Sequence, residues 1–363
     1  MDLRYSANKI ISVTLVVNLT GLPAMSWALP GNGQVQSGNI NIGNSGNVTT
    51  IDQTTQYGAI NWDSFNIGAG ESVIFNQPGS SSVTLNNILD ANPSAIMGSI
   101  SANGQVFLSN PNGFIFGAGS SVNVGSLMAT TAIIDSFDAN TGAIVFSGNG
   151  SGTIHAMGDI EASDGYIGFF APEIINSGSL QADAGSIALS TETNGTLYLP
   201  GFAGVGFNID DLSSTDARSI THEGEISADG GQIIISSDAY DSALQSAINT
   251  TGMIDVSISG NGDGGNIQIL AANGSIEQSG VIQANAGSNG DGGEILIIAD
   301  QNLKSSGQLQ AKGGTDSGDG GFIETSAHVA DINQVRVDTR AANGETGTWL
   351  IDPDHYVIND SGS

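Results

Sequence analysis

The chain has 363 residues, with 36 Asp and Glu against 7 Lys and Arg, and a formal net charge of −29. That balance disfavours nucleic acid and anionic membrane surfaces as partners, and it helps keep a long chain in solution. With 39% apolar residues and no cysteine, the chain is neither a disordered tail nor a disulfide-stapled domain, so stability must come from a large regular core.

Residues 1–28 read as a secretory signal peptide. Arg4 and Lys9 form a basic start, Ile10 to Leu19 a short apolar run, and Ser26 and Ala28 the small residues of a cleavage site after Ala28. The apolar run is too short to span a bilayer comfortably, and Pro23 breaks it. Export through the periplasm is therefore expected. Loss of Asp2, Arg4 and Lys9 with this segment leaves 5 basic and 35 acidic residues. The lack of cysteine suits a chain that crosses a narrow pore unfolded, since no early disulfide can close a loop.

Branched apolar residues alternating with Gly, Asn, Ser and Asp predict an all-β chain with many turns. Leu29 to Ile60 holds short alternating strands, at Ile40 and Ile42 and then at Val48 and Ile51, and reads as a cap over one end of the fold. Further on, an alternating strand from Gln105 to Ser109 runs into Asn110-Pro111-Asn112-Gly113, and an apolar strand from Phe114 to Phe116 follows at once. Proline presets φ at the second turn position, and Asn or Gly tolerates the positive φ that tight turns need. This segment reads as strand, tight turn, strand. Stacked asparagines in successive turns can satisfy buried amides, which makes Asn86, Asn110 and Asn112 candidates for a side-chain ladder.

A pentapeptide Gly-x-Ile/Leu-x-Ala begins at Gly98, Gly158, Gly178, Gly224, Gly280 and Gly307, with a valine-ended variant at Gly252. Successive starts from Gly158 are 20, 46, 28, 28 and 27 residues apart, and the interval of 46 reads as two units. A second apolar strand follows each late pentapeptide, after a turn containing Asp-Gly-Gly at Asp229, Asp263, Asp291 and Asp319. Each unit is too thin to bury a core alone, but stacked units bury a continuous one. The period suits the coils of a parallel β-helix, roughly 12–14 rungs and on the order of 60 Å long at one strand spacing per rung. The leucine and asparagine spacing of leucine-rich repeats is absent, as are the longer repeats and aromatic signatures of a propeller. Thr196 to Thr221 interrupts the repeat and is expected to leave the rod as a loop or hairpin; Ala239 to Ile248 is expected to form one short helix.

The segment from Ser101 to Gly117 resembles the N-P-N-G-I signature of the secretion domain of two-partner-secretion exoproteins, the filamentous haemagglutinin family. Ile60 to Ile67, Gly70 to Val73, Phe75 to Pro78 and Ser82 to Asn86 are similar to the early strands of that domain. Gly347 to Pro353 resembles a string that closes the N-terminal portion of many such proteins. The companion N-P-N-L motif is absent; the nearest candidates are Asn76-Gln77-Pro78 and Asn92-Pro93-Ser94. The resemblance implies a right-handed parallel β-helix with an N-terminal β cap. It implies recognition of Asn110, Pro111, Asn112 and Gly113 by an outer-membrane transporter whose periplasmic POTRA domains bind the unfolded or partly folded chain. It also implies delivery to the cell surface or medium, with folding there helping to pull the chain through. The downstream role in such proteins is adhesion or haemagglutination, in some cases cytolysis or contact-dependent inhibition. Host-cell or surface glycans or proteins are the partners that role would bring to a monomeric rod. The expected division is 1–28 signal peptide, 29–135 cap and first rungs with the motif, 136–346 rungs with Asp-Gly-Gly turns, and 347–363 the end of this region.

A catalytic constellation is not evident. His155, His222, His328 and His355 match no metal-ligand spacing, and the metalloprotease, phosphate-loop and nucleophile-elbow motifs are missing. Many β-helices degrade polysaccharides, so a secreted polysaccharide-binding or polysaccharide-degrading protein is the alternative; its sites need clustered carboxylates, with a basic residue in the lyases. The basic residues here are few: Arg218, Lys304, Lys312, Arg336 and Arg340. An autotransporter passenger is a further alternative, weakened by the lack of C-terminal barrel strands before Ser363. Asp263, Asp291 and Asp319 could stack as a calcium ladder, or each aspartate could hydrogen-bond its own turn while Gly supplies positive φ. The second reading is preferred, so no cofactor, metal or enzymatic activity is expected.

Overall fold

The structure, a computed structural model, describes residues 29–138, 140, 144–147, 150–163, 165–183, 185–191, 195–197, 218–238 and 247–355. The expected signal peptide, residues 1–28, lies outside them. Alternation produces the strands directly. In Gln232–Asp238, Ile233 and Ile235 are buried while Gln232, Ile234 and Ser236 are partly exposed, as period-2 side chains require. All regular elements among the described residues are strands, and parallel pairing in register winds them into a β-helix with three faces.

The first face has twelve strands. Ile40–Ser45 pairs antiparallel with Val48–Gln53, and from there to Arg336–Asp338 eleven strands run parallel. Ten spacings give a rod of roughly 50 Å. This is shorter than the repeat predicted, and one pairing explains why. Leu180 stands in register with Ile226, so the interval of 46 residues is a single rung with an excursion, not two units. Gln34–Ser37 lies antiparallel on Tyr57–Trp62. These two antiparallel pairs close the first end of the rod as the predicted cap, blunting its exposed edge.

Inside, equivalent positions stack. Ile100, Val122, Ile160, Leu180, Ile226, Ile254, Ile282 and Leu309 form one column of buried side chains. Burying each is worth about 1.5–3 kcal/mol before chain entropy is counted. The pentapeptide glycines have a steric reason. A methyl group on Gly178, Gly224, Gly252, Gly280 or Gly307 would collide with the carbonyl oxygen of the glycine one rung earlier. Gly252→Ala is therefore expected to cost about 1–3 kcal/mol by overpacking. Gly43→Ala, in open space, should stay within about 0.5 kcal/mol. Urea unfolding of both variants checks the pair.

A second apolar cluster sits outside the coil. Val83, Leu85, Phe107, Met128, Tyr166 and Phe170 point away from the rod axis on the second face, and Ile134 and Phe137 pack onto them. Those two come from a three-stranded antiparallel sheet, Ile133–Phe137, Ile144–Ser147 and Gly195–Leu197. Thr196 and Leu197 thus leave the rod as expected, and the chain is back in it at Ser219–His222. Of the predicted helix, residues 239–246 lie outside the described residues; Ile248 opens a strand instead, in register with Ile220.

Candidate functional site

Asn110-Pro111-Asn112-Gly113 forms the corner between the second and third faces, joining Gln105–Ser109 to Gly113–Phe116. The Gly113 amide donates to the Asn110 carbonyl at 2.9 Å, closing a four-residue turn. Asn112 keeps negative φ while Gly113 takes +97°. That is the pattern of a type I turn, which favours Asn first, Pro second and Gly last. The Asn112 amide donates to Asn110 Oδ1 at 3.0 Å, so the side chain braces its own turn.

The turn is bolted to the rung before it. Asn110 is fully buried, and its Nδ2 donates to the Asn92 carbonyl at 3.1 Å and to Ser94 Oγ at 3.0 Å. Asn112 Nδ2 donates to the Asp90 carbonyl at 2.8 Å. The segment Asn92-Pro93-Ser94, a mere near-match to the missing companion motif, is thus the direct support of the motif. Asn76-Gln77-Pro78 serves elsewhere: Gln77 Nε2 donates to Ser82 O, Thr84 Oγ1 and Gln105 O at 3.0 Å each. Asn86 does not join a ladder with Asn110. It accepts from Trp62 Nε1 at 3.0 Å and donates to Thr84 O and Phe107 O, inside a strand and not at the corner.

Residues that the spacing did not single out complete the site. The Gly152 amide donates to the Pro111 carbonyl at 3.1 Å, and the Gly150 amide to the Thr131 carbonyl at 3.1 Å. Gly113–Phe116 pairs in register with Thr153–Ala156 above and Ser94–Ile96 below. Beneath the turn, the rings of Phe114, Phe116 and Phe169 stack at 6.1 and 5.9 Å. The alternating glycines Gly148, Gly150 and Gly152 were the available signal, because only glycine fits where two rungs close on a turn.

The Asp-Gly-Gly turns occupy a different corner, between the first and second faces. Asp263 Oδ1 accepts from the Asp291 amide, Asp291 Oδ1 from the Asp319 amide, and Asp319 Oδ1 from the Glu345 amide, at 2.7–2.8 Å. The carboxylates form a ladder, but each caps the next rung and not its own turn. Asp229 instead accepts from Ser259. No group of three or more His, Asp or Glu side chains placed to hold a metal ion occurs among the described residues. His328 and His355, distant in sequence, fall on adjacent strands.

His222 is buried within the rod. Nδ1 accepts from Asn176 Nδ2 at 3.1 Å, and Nε2 donates to the Met253 carbonyl at 3.0 Å, which fixes a neutral ring. Burial pulls its pKa down to about 4 against about 6.5 in an unfolded chain. The neutral ring's contribution is whole above pH 6.5 and is lost as pH falls toward 4, by at most about 3 kcal/mol. His222→Asn should flatten the dependence of the urea midpoint on pH between 6.5 and 4; equal slopes for the two proteins would contradict this.

The TPS secretion domain family model matches residues 27–284. The chain is 34% identical over 206 residues to a heme/hemopexin-binding protein of Haemophilus influenzae, covering 52% of this chain and 22% of that protein. A second H. influenzae heme/hemopexin-binding protein is 39% identical over 98 residues, 27% of this chain and 11% of that one. The chain spans less than a quarter of the length of these curated relatives. The crystal structure of the HMW1 secretion domain from H. influenzae aligns over 89% of this chain and 100% of its own, with a TM-score of 0.62 and 23% identity, and so shares the fold. With the family model covering well over half its length, the chain belongs to the TPS secretion domain family of two-partner-secretion exoproteins.

Proposed function

We propose that this chain is the secretion module of an adhesin- or haemagglutinin-like exoprotein, read by its transporter through Asn110, Pro111, Asn112 and Gly113. Secretion domains of this family are recognised by a partner transporter, and the exoproteins reach the cell surface or the medium. The observation that carries the reading is the motif's own turn, placed at a corner of a scaffold of the right family. In the folded domain its asparagines are spent on Asp90, Asn92 and Ser94 and Asn110 is fully buried, so the transporter reads these residues before the corner closes. The transporter's POTRA domains are the receptor in this reading, and the chain acts by being bound, without catalysis. Residues 1–28 are the cleaved export signal, 29–135 the recognised unit, 136–346 rungs that extend it, and 347–363 the end of the region.

The module also nucleates the rod. The antiparallel cap closes one end, and each later rung adds to an edge already in place, so stability can accumulate as the chain emerges. Binding of heme or hemopexin belongs to the full-length relatives, and host glycans or proteins are the targets suited to an adhesin. Release of the full chain from cells with and without the transporter tests the reading. Dependence on the transporter supports it; equal release without one overturns it.

A further inference from the structure

The pentapeptide corner, between the third and first faces, forms a furrow along the rod. Gly224, Gly252, Gly280 and Gly307 follow one another at its floor, the carbonyl of each accepting from the strand of the next rung. That floor is fixed from inside. Gln278, fully buried, donates from Nε2 to the Gly280 carbonyl at 2.8 Å and accepts from Ser305 Oγ at 2.6 Å. The charge of the walls changes along the rod. Glu223 and Glu225, both exposed, flank Gly224, whereas Ser279 with Val281 and Ser306 with Gln308 flank the two upper glycines. In the top rung Val335 stands in the glycine position and closes the furrow, with Gln334 and Arg336 beside it. This upper stretch is an open groove of about 510 Å³ lined by no carboxylate. Its arginine is singular in so acidic a chain. Lys304 is spent on Glu277 and Arg340 on Asp338, Arg218 is buried against the Thr191 carbonyl, and Lys312 lies in the field of Asp338. The Arg336 side chain is exposed and makes no hydrogen bond or ion pair with any described residue.

We propose that this groove binds an oligosaccharide ended by one carboxylate-bearing sugar, with the carboxylate on Arg336 and the neutral sugars running down past Ser306 and Ser279. The proposal deepens the adhesin reading and rests on it. A guanidinium meets a carboxylate through two parallel hydrogen bonds, a geometry that lysine lacks. Hydroxyls at Ser279 and Ser306 and amides at Gln308 and Gln334 match the donors and acceptors of sugar hydroxyls. An extended peptide fits less well. Val281–Gln283 and Gln308–Gln310 are each paired on both sides, so neither offers a main-chain edge, and Val281 is the one apolar side chain at the wall below Arg336. The lower furrow sets the charge of the ligand. Glu225 lies four rungs below Arg336 in register, roughly 19 Å at one strand spacing per rung. A polyanion long enough to reach it meets like charge, whereas a chain with its single charge at one end does not.

The test titrates the folded full chain with 3′-sialyllactose, lactose, hexagalacturonate and a glutamate-ended tetrapeptide, followed by calorimetry. Sialyllactose should bind, and lactose, which has no carboxylate, should not. Arg336→Gln should weaken sialyllactose about tenfold or more at an unchanged melting temperature, because the side chain has no partner in the fold. Arg336→Lys should recover part of the loss. Hexagalacturonate should bind more weakly than sialyllactose and gain in Glu225→Gln. Sialyllactose bound equally by wild type and Arg336→Gln, or by neither, would overturn the site, and so would a peptide bound more tightly than the saccharide. Hexagalacturonate bound as tightly as sialyllactose would overturn the single terminal charge. Capture of red cells by beads coated with each protein separates this site from the reading beneath it. Capture lost in Arg336→Gln alone supports the site. Equal capture by both proteins overturns the site and leaves the adhesin reading standing; capture by neither removes the adhesin reading, and this proposal with it.

Discussion

Gly113→Ala is expected to destabilise the domain by about 2–5 kcal/mol, from two independent costs. The first is conformational: φ is +97° at this position, which an L-residue with a Cβ adopts at a cost of about 1–2 kcal/mol. The second is steric. The new methyl would be driven into the Thr153 carbonyl of the next rung, and backbone cannot rotate aside as a side chain can. Either the turn opens or Thr153–Ala156 lifts away. Both outcomes should appear as a lower melting temperature and a lower urea midpoint. Gly46→Ala is the matched control. It too has positive φ, +57°, but open space around it, so it should show the first cost without the second. Equal losses at the two sites would mean that rung contact contributes nothing at Gly113.

Asn110→Ala is expected to cost about 2–4 kcal/mol, because it removes three hydrogen bonds and leaves polar groups stranded in a closed corner. Nδ2 serves Asn92 and Ser94, and Oδ1 holds the Asn112 amide. Asn110→Asp should be no better. It keeps an acceptor for the Asn112 amide but sets a carboxylate oxygen against the Asn92 carbonyl, in a fully buried position. Chemical unfolding of both variants measures this directly; an aspartate variant close to wild type would show that water reaches the corner. Secretion of either variant is expected to fall, for structural reasons as well as through loss of recognition.

The motif turn was legible because its chemistry is local. Asn, Pro and Gly each suit one position of a single turn type, and no distant contact changes that. The solenoid was legible for a related reason: identical side-chain parity in every rung places Ile and Leu in one column. Three features were not. The interval of 46 residues looked like two repeats, because an excursion carries no mark of its length; only the register of Leu180 with Ile226 settles it. The outer apolar cluster was hidden in plain runs such as Val106-Phe107-Leu108, which read as a strand buried on one side but are buried on both. The supporting residues Asp90, Gly150 and Gly152 lie at least 20 residues from the motif, and rung stacking alone brings them together. The aspartate ladder shows the same limit. Asp-Gly-Gly announced a turn, yet the carboxylate serves the rung above.

Asn112→Ala separates recognition from folding most directly. Asn112 is partly exposed, and its side chain makes one bond, to the Asp90 carbonyl, so its loss should cost only about 1 kcal/mol. The decisive measurement is release of the full chain by cells expressing the transporter, wild type beside Asn112→Ala, with refolding of each purified protein followed by circular dichroism. A variant that refolds to the native spectrum, melts only a few degrees lower and is released about tenfold less would bear out a turn read by the transporter. Release at the wild-type level, or a fall matched by failure to refold, would make the turn a structural corner and nothing more.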